Sequence, residues 1–215
     1  MRQDSIAGFQ NYTVPLTSYA GITETALLAP FSSGYYPAYP SPLLPLSTAA
    51  YPVVMYVSVP PDVAGGEMDG HPFEVKITGT VTGASTCTFD LKLWQATNAV
   101  LTSGATSTTY ATLLTHPPSG TGITGLVGSS AVTLSSTVKT NFSLKAPFIW
   151  DSTSKQLNFA GAPEFYAIGA TASPTVTNAS VTSLGQTDLN FFPTFTWGTA
   201  FGGSLELNEF VINRL

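Results

Sequence analysis

The sequence predicts an all-β fold: an antiparallel, jelly-roll-like β-sandwich preceded by an extended, proline-rich N-terminal arm. Three observations predict it. The 215 residues include 31 threonines, 22 serines, 19 glycines and 16 prolines, which is the composition of short strands and many turns. From residue 53 onward apolar residues recur with a period of two, the period of a half-buried strand. No repeat of fixed length runs through the chain, which favours a sandwich over a solenoid or propeller. A chain of this size buries roughly 70% of its unfolded surface, so one core is expected in a domain over residues 51–215, with residues 1–50 as the arm.

The arm is set apart by residues 31–46, Phe-Ser-Ser-Gly-Tyr-Tyr-Pro-Ala-Tyr-Pro-Ser-Pro-Leu-Leu-Pro-Leu. Prolines at this density remove backbone donors and fix φ, so the segment runs extended rather than as a helix or a central strand. It is no polar linker. Phe31, Tyr35, Tyr36, Tyr39, Leu43 and Leu44 are residue types that anchor interfaces, and they are the expected partner-contact residues. Holding about 50 irregular residues in place costs on the order of 50 to 100 kcal/mol of chain entropy, so neighbouring subunits are expected to grip the arm.

Val53 to Val59 follows as a short apolar run between Pro52 and Pro60. Phe73, Val75 and Ile77 then alternate with charged and threonine residues, and after Gly83 so do Cys87, Phe89, Leu91 and Leu93. This pair reads as a hairpin with one dry and one wet face. The signal weakens between Thr97 and Thr140, where strands are expected near 108–114 and 131–138 around the loop His116-Pro117-Pro118-Ser119-Gly120. Alternation returns at Phe142, Leu144, Ala146 and Phe148 and ends at Trp150-Asp151, where Ser152-Thr153-Ser154 turns the chain. Segments 155–159 and 164–168 read as a pair, 174–184 is a threonine-rich element, 189–201 is aromatic but cut by Pro193, and 205–212 closes the chain as a strand. The total is roughly eight to ten strands.

Charge excludes several functions. Only 9% of residues are charged, and the net charge is −5 from 7 Lys and Arg against 12 Asp and Glu. No basic patch exists to neutralise phosphates or to read an anionic membrane, so neither nucleic acid nor membrane is the expected partner. Uncharged runs are broken by proline or saturated with polar residues, unlike the ~20 apolar residues of a spanning helix. The N-terminus lacks the basic start and apolar run of a signal peptide, which points to synthesis in a cytoplasm.

Chemistry is sparse. The two histidines, His71 and His116, each precede a proline, no Gly-x-Ser-x-Gly elbow occurs, and Cys87 falls in phase with Phe89 and Leu91; no catalytic triad is assigned. Metal-binding spacings are missing, and Glu67, Asp69 and His71 read as a solvated turn. Glu206 and Glu209 are three apart, so on an unbulged strand they face opposite sides and make no acid pair. No enzyme activity, cofactor or metal is expected. Trp94, Trp150 and Trp197, with Asp151, Asn158 and Asn190, supply the rings and polar groups of a lectin-like module, a reading of a different class.

The segments Phe73-Glu74-Val75-Lys76-Ile77-Thr78-Gly79-Thr80-Val81-Thr82-Gly83, Thr88-Phe89-Asp90-Leu91-Lys92-Leu93, and 142–157 with Phe-Ile-Trp-Asp-Ser-Thr-Ser-Lys-Gln-Leu resemble auxiliary virion proteins of tailed bacteriophages, the capsid decoration or cement type. The resemblance covers about half the chain and carries no functional residue. It implies a non-enzymatic capsid decoration protein on the outer surface of the capsid, binding the major capsid protein and copies of itself, a trimer being the expected assembly. The alternatives are a tail or fibre-base structural component and the carbohydrate-binding module.

Overall fold

The computed structural model describes residues 5–14, 25–26, 56–59, 66, 68–83, 86–97, 100, 118–129, 131–135, 137–168, 176–178, 182–183, 189–197 and 203–215. All named elements are strands: β1 (Ser5–Val14), β2 (Thr25–Ala26), β3 (Val57–Val59), β4 (Pro72–Gly83), β5 (Cys87–Ala96), β6 (Ile123–Ser129), β7 (Val132–Leu134), β8 (Lys139–Asp151), β9 (Gln156–Phe159), β10 (Glu164–Ala167), β11 (Val176–Asn178), β12 (Thr182–Ser183), β13 (Leu189–Trp197) and β14 (Gly203–Arg214). They form two sheets. The first has the order β1-β14-β4-β8-β9-β12, with β10 also on β8; the second runs β11-β6-β5-β13-β2, with β3 also on β13 and β7 on β5. Every strand pairing is antiparallel.

The core lies between the sheets. Phe73, Val75, Ile77, Leu144, Phe148, Phe210 and Ile212 of the first sheet are buried with Phe89, Leu91, Leu93, Leu189, Phe191 and Phe195 of the second. Two aromatic groups bridge the layers. Phe148 lies 4.9 Å from Phe159, 5.8 Å from Phe73 and 5.8 Å from Phe191 across the core, ring centre to ring centre. Phe142 lies 5.7 Å from Phe89 and 5.9 Å from Phe195. These distances suit tilted and edge contacts that add to simple burial. The all-β antiparallel sandwich predicted from the sequence is the observed architecture.

Several pairings differ from expectation. The alternation of β4 and β5 predicts a hairpin, yet β4 pairs with β14 and β8, while β5 pairs with β13, β6 and β7. The short link after Gly83 carries the chain from one sheet to the other. Alternation reports which side chains are buried, not which strand is the hydrogen-bonded neighbour, and two strands facing across a core share the pattern of a hairpin. Likewise β9 and β10 do not pair with each other; they lie end to end on the same edge of the long strand β8.

That arrangement accommodates a proline. Ala160 N–H donates to Pro147 O at 3.0 Å, so the carbonyl of Pro147 faces the edge shared by β9 and β10. Its nitrogen, which has no proton to donate, faces the same edge at the break between the two short strands. Pro193 is placed in the same way. It does not cut β13, because β3 ends opposite Phe191 and β2 begins opposite Thr194, so one edge of β13 is interrupted at the proline.

β6 is a strand that threonine and glycine conceal in the sequence. Gly125 pairs with Trp94 and Gly128 with Lys92, and a Cβ on Gly128 would come within 2.7 Å of Lys92 Cγ. Long side chains of β5 cover the glycines of its neighbour, supplying contacts the glycines lack. The element at 174–184 is two short strands, β11 in the second sheet and β12 in the first. β1 pairs along its length with β14, so residues 5–14 of the expected arm add a strand to the first sheet. The proline-dense segment 31–46, and the expected strand at 108–114, lie outside the described residues.

Candidate functional site

Three places could carry function: the turn at one end of the sandwich, the tryptophan surfaces, and the outer face of the first sheet. At the end turn, Asp69 Oδ1 accepts from Ser152 N–H and Oδ2 from Ser152 Oγ, both at 2.7 Å. Gly70 N–H donates to Trp150 O at 2.8 Å. Asp151 folds back on its own turn, with Oδ1 accepting from Thr153 N–H at 2.9 Å and Ser154 N–H at 3.1 Å, and Oδ2 from Ser154 Oγ at 2.6 Å. Each carboxylate is therefore engaged in tying the β8–β9 turn together. Among the described residues no group of three or more His, Cys, Asp or Glu gathers to hold a metal, and Glu67 lies outside them.

These bonds hold both carboxyls below the ordinary value of 3.8, chiefly through the backbone and side chain of Ser152 for Asp69 and of Ser154 for Asp151. The depressed folded value means that the stabilisation is present above pH 3.8 and is lost as the pH falls through the lower folded values. The protection factor of the Ser152 amide, its exchange relative to that of an unstructured chain at the same pH, should therefore be high at neutral pH and fall in strong acid. In Asp69→Ala it should be low throughout; protection that is unchanged in this variant would contradict the role assigned to Asp69.

The lectin-like constellation is not assembled. Trp150 is fully buried in the core, so its ring is no platform, although it ends a strand. Asn158 is in β9 of the first sheet, whereas Asn190 is in β13 of the second, 1% exposed and donating to Ala96 O at 3.2 Å. Trp94 is half-buried on the outer face of the second sheet, stacked on Phe192 at 6.3 Å with its Nε1–H donating to Thr194 Oγ1 at 2.9 Å. The ring of Trp197, the Cys87 thiol and all of His116 lie outside the described residues, as do Phe31, Tyr35, Tyr36, Tyr39, Leu43 and Leu44.

The outer face of the first sheet holds what the sequence did not reveal. A β-bulge lies in β14, where Leu207 pairs with Gly79 and Glu209 with the adjacent Thr78. The extra residue, Asn208, shifts the alternation by one position. Glu206 and Glu209, expected on opposite faces, both lie on the outer face, opposite Thr80 and Thr78. Only a bulge signal could have found this, and LELNEF offers none beyond the change of phase between Leu207 and Phe210.

Register builds rows across this face. Tyr166 stands opposite Ser143, Ser143 opposite Thr78, and Thr78 opposite Glu209; in the next row Asn141 faces Thr80 and Thr80 faces Glu206. Four strands at about 4.8 Å spacing make a row about 14 Å long. Glu209 Oε2 takes a salt bridge from Lys76 Nζ at 2.6 Å and a long hydrogen bond from Thr78 Oγ1 at 3.4 Å. Thr80 Oγ1 donates to Asn141 Oδ1 at 2.9 Å. Glu74, farther along, is pushed up by burial against the opposing pull of Lys145 and Lys76. Tyr166 is 61% exposed at the end of its row.

No protein family matches the chain, and no curated protein matches it by sequence. Among solved structures the chain is similar to the CBM2 module of the evolved Dit of Lactobacillus casei BL23 phage J-1, with 11% identity, a TM-score of 0.28, and coverage of 100% of this chain and 97% of that one. A superposition this loose determines neither fold nor function.

Proposed function

We propose that this chain is a non-enzymatic structural protein of a tailed-phage particle, seated at the tail or fibre base, where it acts by binding. One observation carries the virion structural role: the residues that resemble auxiliary virion proteins, 73–83, 88–93 and 142–157, are those that build β4, β5, β8 and much of the turn into β9. The likeness is thus one of the central scaffold rather than of scattered loops. The acidic groups near the turn serve as internal ties, which supports a structural role over a catalytic one. A presented polar sheet face suits a tail component, which meets partners outside the particle.

The shell-decoration reading remains the second, favoured by the net charge of −5, which suits a surface away from packaged DNA, and by the apolar arm as a clamp on the major capsid protein, with trimers as the unit. Quantitative mass spectrometry of purified particles separates the two. A handful of copies per particle is expected for the tail seat. Hundreds of copies would move the chain to the shell, where replacing Tyr35, Tyr36 and Tyr39 together with alanine should release it. Absence from particles would overturn both.

A further inference from the structure

We infer that the outer face of the first sheet binds carbohydrate, with the ring of Tyr166 as its platform and, as its hydrogen-bonding floor, the row that runs from it to Glu209 and the adjacent row from Asn141 to Glu206. The inference rests on the reading that this chain acts by binding, and it names the ligand class.

Four features select a sugar over other ligands. Tyr166 is 61% exposed beside Ser143, so an aromatic surface adjoins a short hydroxyl held on a strand, and sugars present both apolar C–H faces and hydroxyls. The floor is built of short side chains on paired strands, Ser143, Asn141 and Thr80 among them, and such groups lose little freedom on binding. Thr80 donates to Asn141 Oδ1, which leaves the Asn141 amide as a donor in the row that ends, two strands away, at the acceptor Glu206. Finally, the charges are mixed. Glu209 is paired with Lys76, and Glu164 stands opposite Lys145; a face so balanced attracts no polyanion and suits a neutral ligand. A protein interface of ordinary size would need an apolar, aromatic centre, whereas the large apolar residues more than half exposed among the described residues of this face lie apart, Tyr166 and Ile168 at one end and Leu215, beside Pro72, at the other.

The test is binding of the full chain to a printed array of short neutral oligosaccharides built from hexose and N-acetylhexosamine units, followed by titration calorimetry with the best binder. Wild type should bind a defined subset. Tyr166→Ala should weaken that binding by about tenfold or more with unchanged thermal unfolding, because its ring is exposed; Tyr166→Phe should retain most of it. Trp94→Phe, on the opposite face of the molecule, should bind as wild type does. No binder on the array, or binding that Tyr166→Ala leaves intact, overturns the inference. So does a change of oligomeric state in Tyr166→Ala without glycan binding, which would assign the ring to contact between copies. An empty array with the chain present in particles ends only the sugar reading; array binding by a chain absent from particles ends only the particle role.

Discussion

Replacing Phe148 with alanine will destabilise the sandwich by about 3 to 5 kcal/mol, enough to lower the unfolding temperature by on the order of 10 °C in a domain of this size. Phe148 is 1% exposed and its ring touches Phe73 and Phe159 of its own sheet and Phe191 of the other. Removing it opens a cavity where the layers meet, and the surrounding strands are too heavily paired to collapse into it. Because most of the net stability of a domain is about 5 to 15 kcal/mol, the loss is a large part of the whole. Calorimetry or urea unfolding checks it. A loss below about 1 kcal/mol would mean that the two sheets are not packed through this ring. Tyr166→Ala is the matched control, since an exposed ring should cost at most about 0.5 kcal/mol.

Gly79→Ala is the second large effect. A Cβ on Gly79 would overlap the main-chain carbonyl oxygen of Glu206 and come within 2.6 Å of Phe142 Cζ. The ring can shift, but the carbonyl belongs to the strand beside the bulge and is fixed by its ladder. Overpacking of this kind costs about 1 to 3 kcal/mol, and the backbone clash puts this case at the upper end. A comparison with Gly161→Ala isolates the cause, because there the nearest atom is Pro147 Cγ at 3.6 Å, an ordinary contact. Adding Phe142→Leu to Gly79→Ala should restore only part of the loss, since it leaves the carbonyl in place. Equal stabilities for the two glycine variants would contradict the close approach of β4 and β14 at this point.

Much of the fold was legible where a strand has one wet and one dry face. β4 and β8 alternate as amphipathic strands should, and Ser152-Thr153-Ser154 marks the turn that joins β8 to β9. Legibility failed where a partner's identity mattered. The alternation of β4 and β5 fits a hairpin and a sheet-to-sheet crossing equally. Glycines hid β6, because the groups that complete its surface belong to β5. Pro193 read as a break because one edge of β13 was not known to be interrupted at that point.

The candidate site was the least legible part. Trp150 was read as a ring at a strand end, but it falls in phase with Phe148 on the core side of β8 and is buried there. The pairing of Glu206 and Glu209 on one face depends on the single residue Asn208, and a bulge is a property of two strands in register, not of one sequence run. Tyr166 drew no notice because β10 is short; it gains a neighbourhood only when β8 brings Ser143 beside it.

Cryo-electron microscopy of purified particles, at a resolution that traces β4, β8 and β14, tests the account most directly. It should find this chain at the tail or fibre base, with the outer face of the first sheet, and Tyr166 on it, turned away from the particle and uncovered. Density for the chain repeated over the head lattice, with that same face pressed against a capsomer, would contradict both the seat and the binding role.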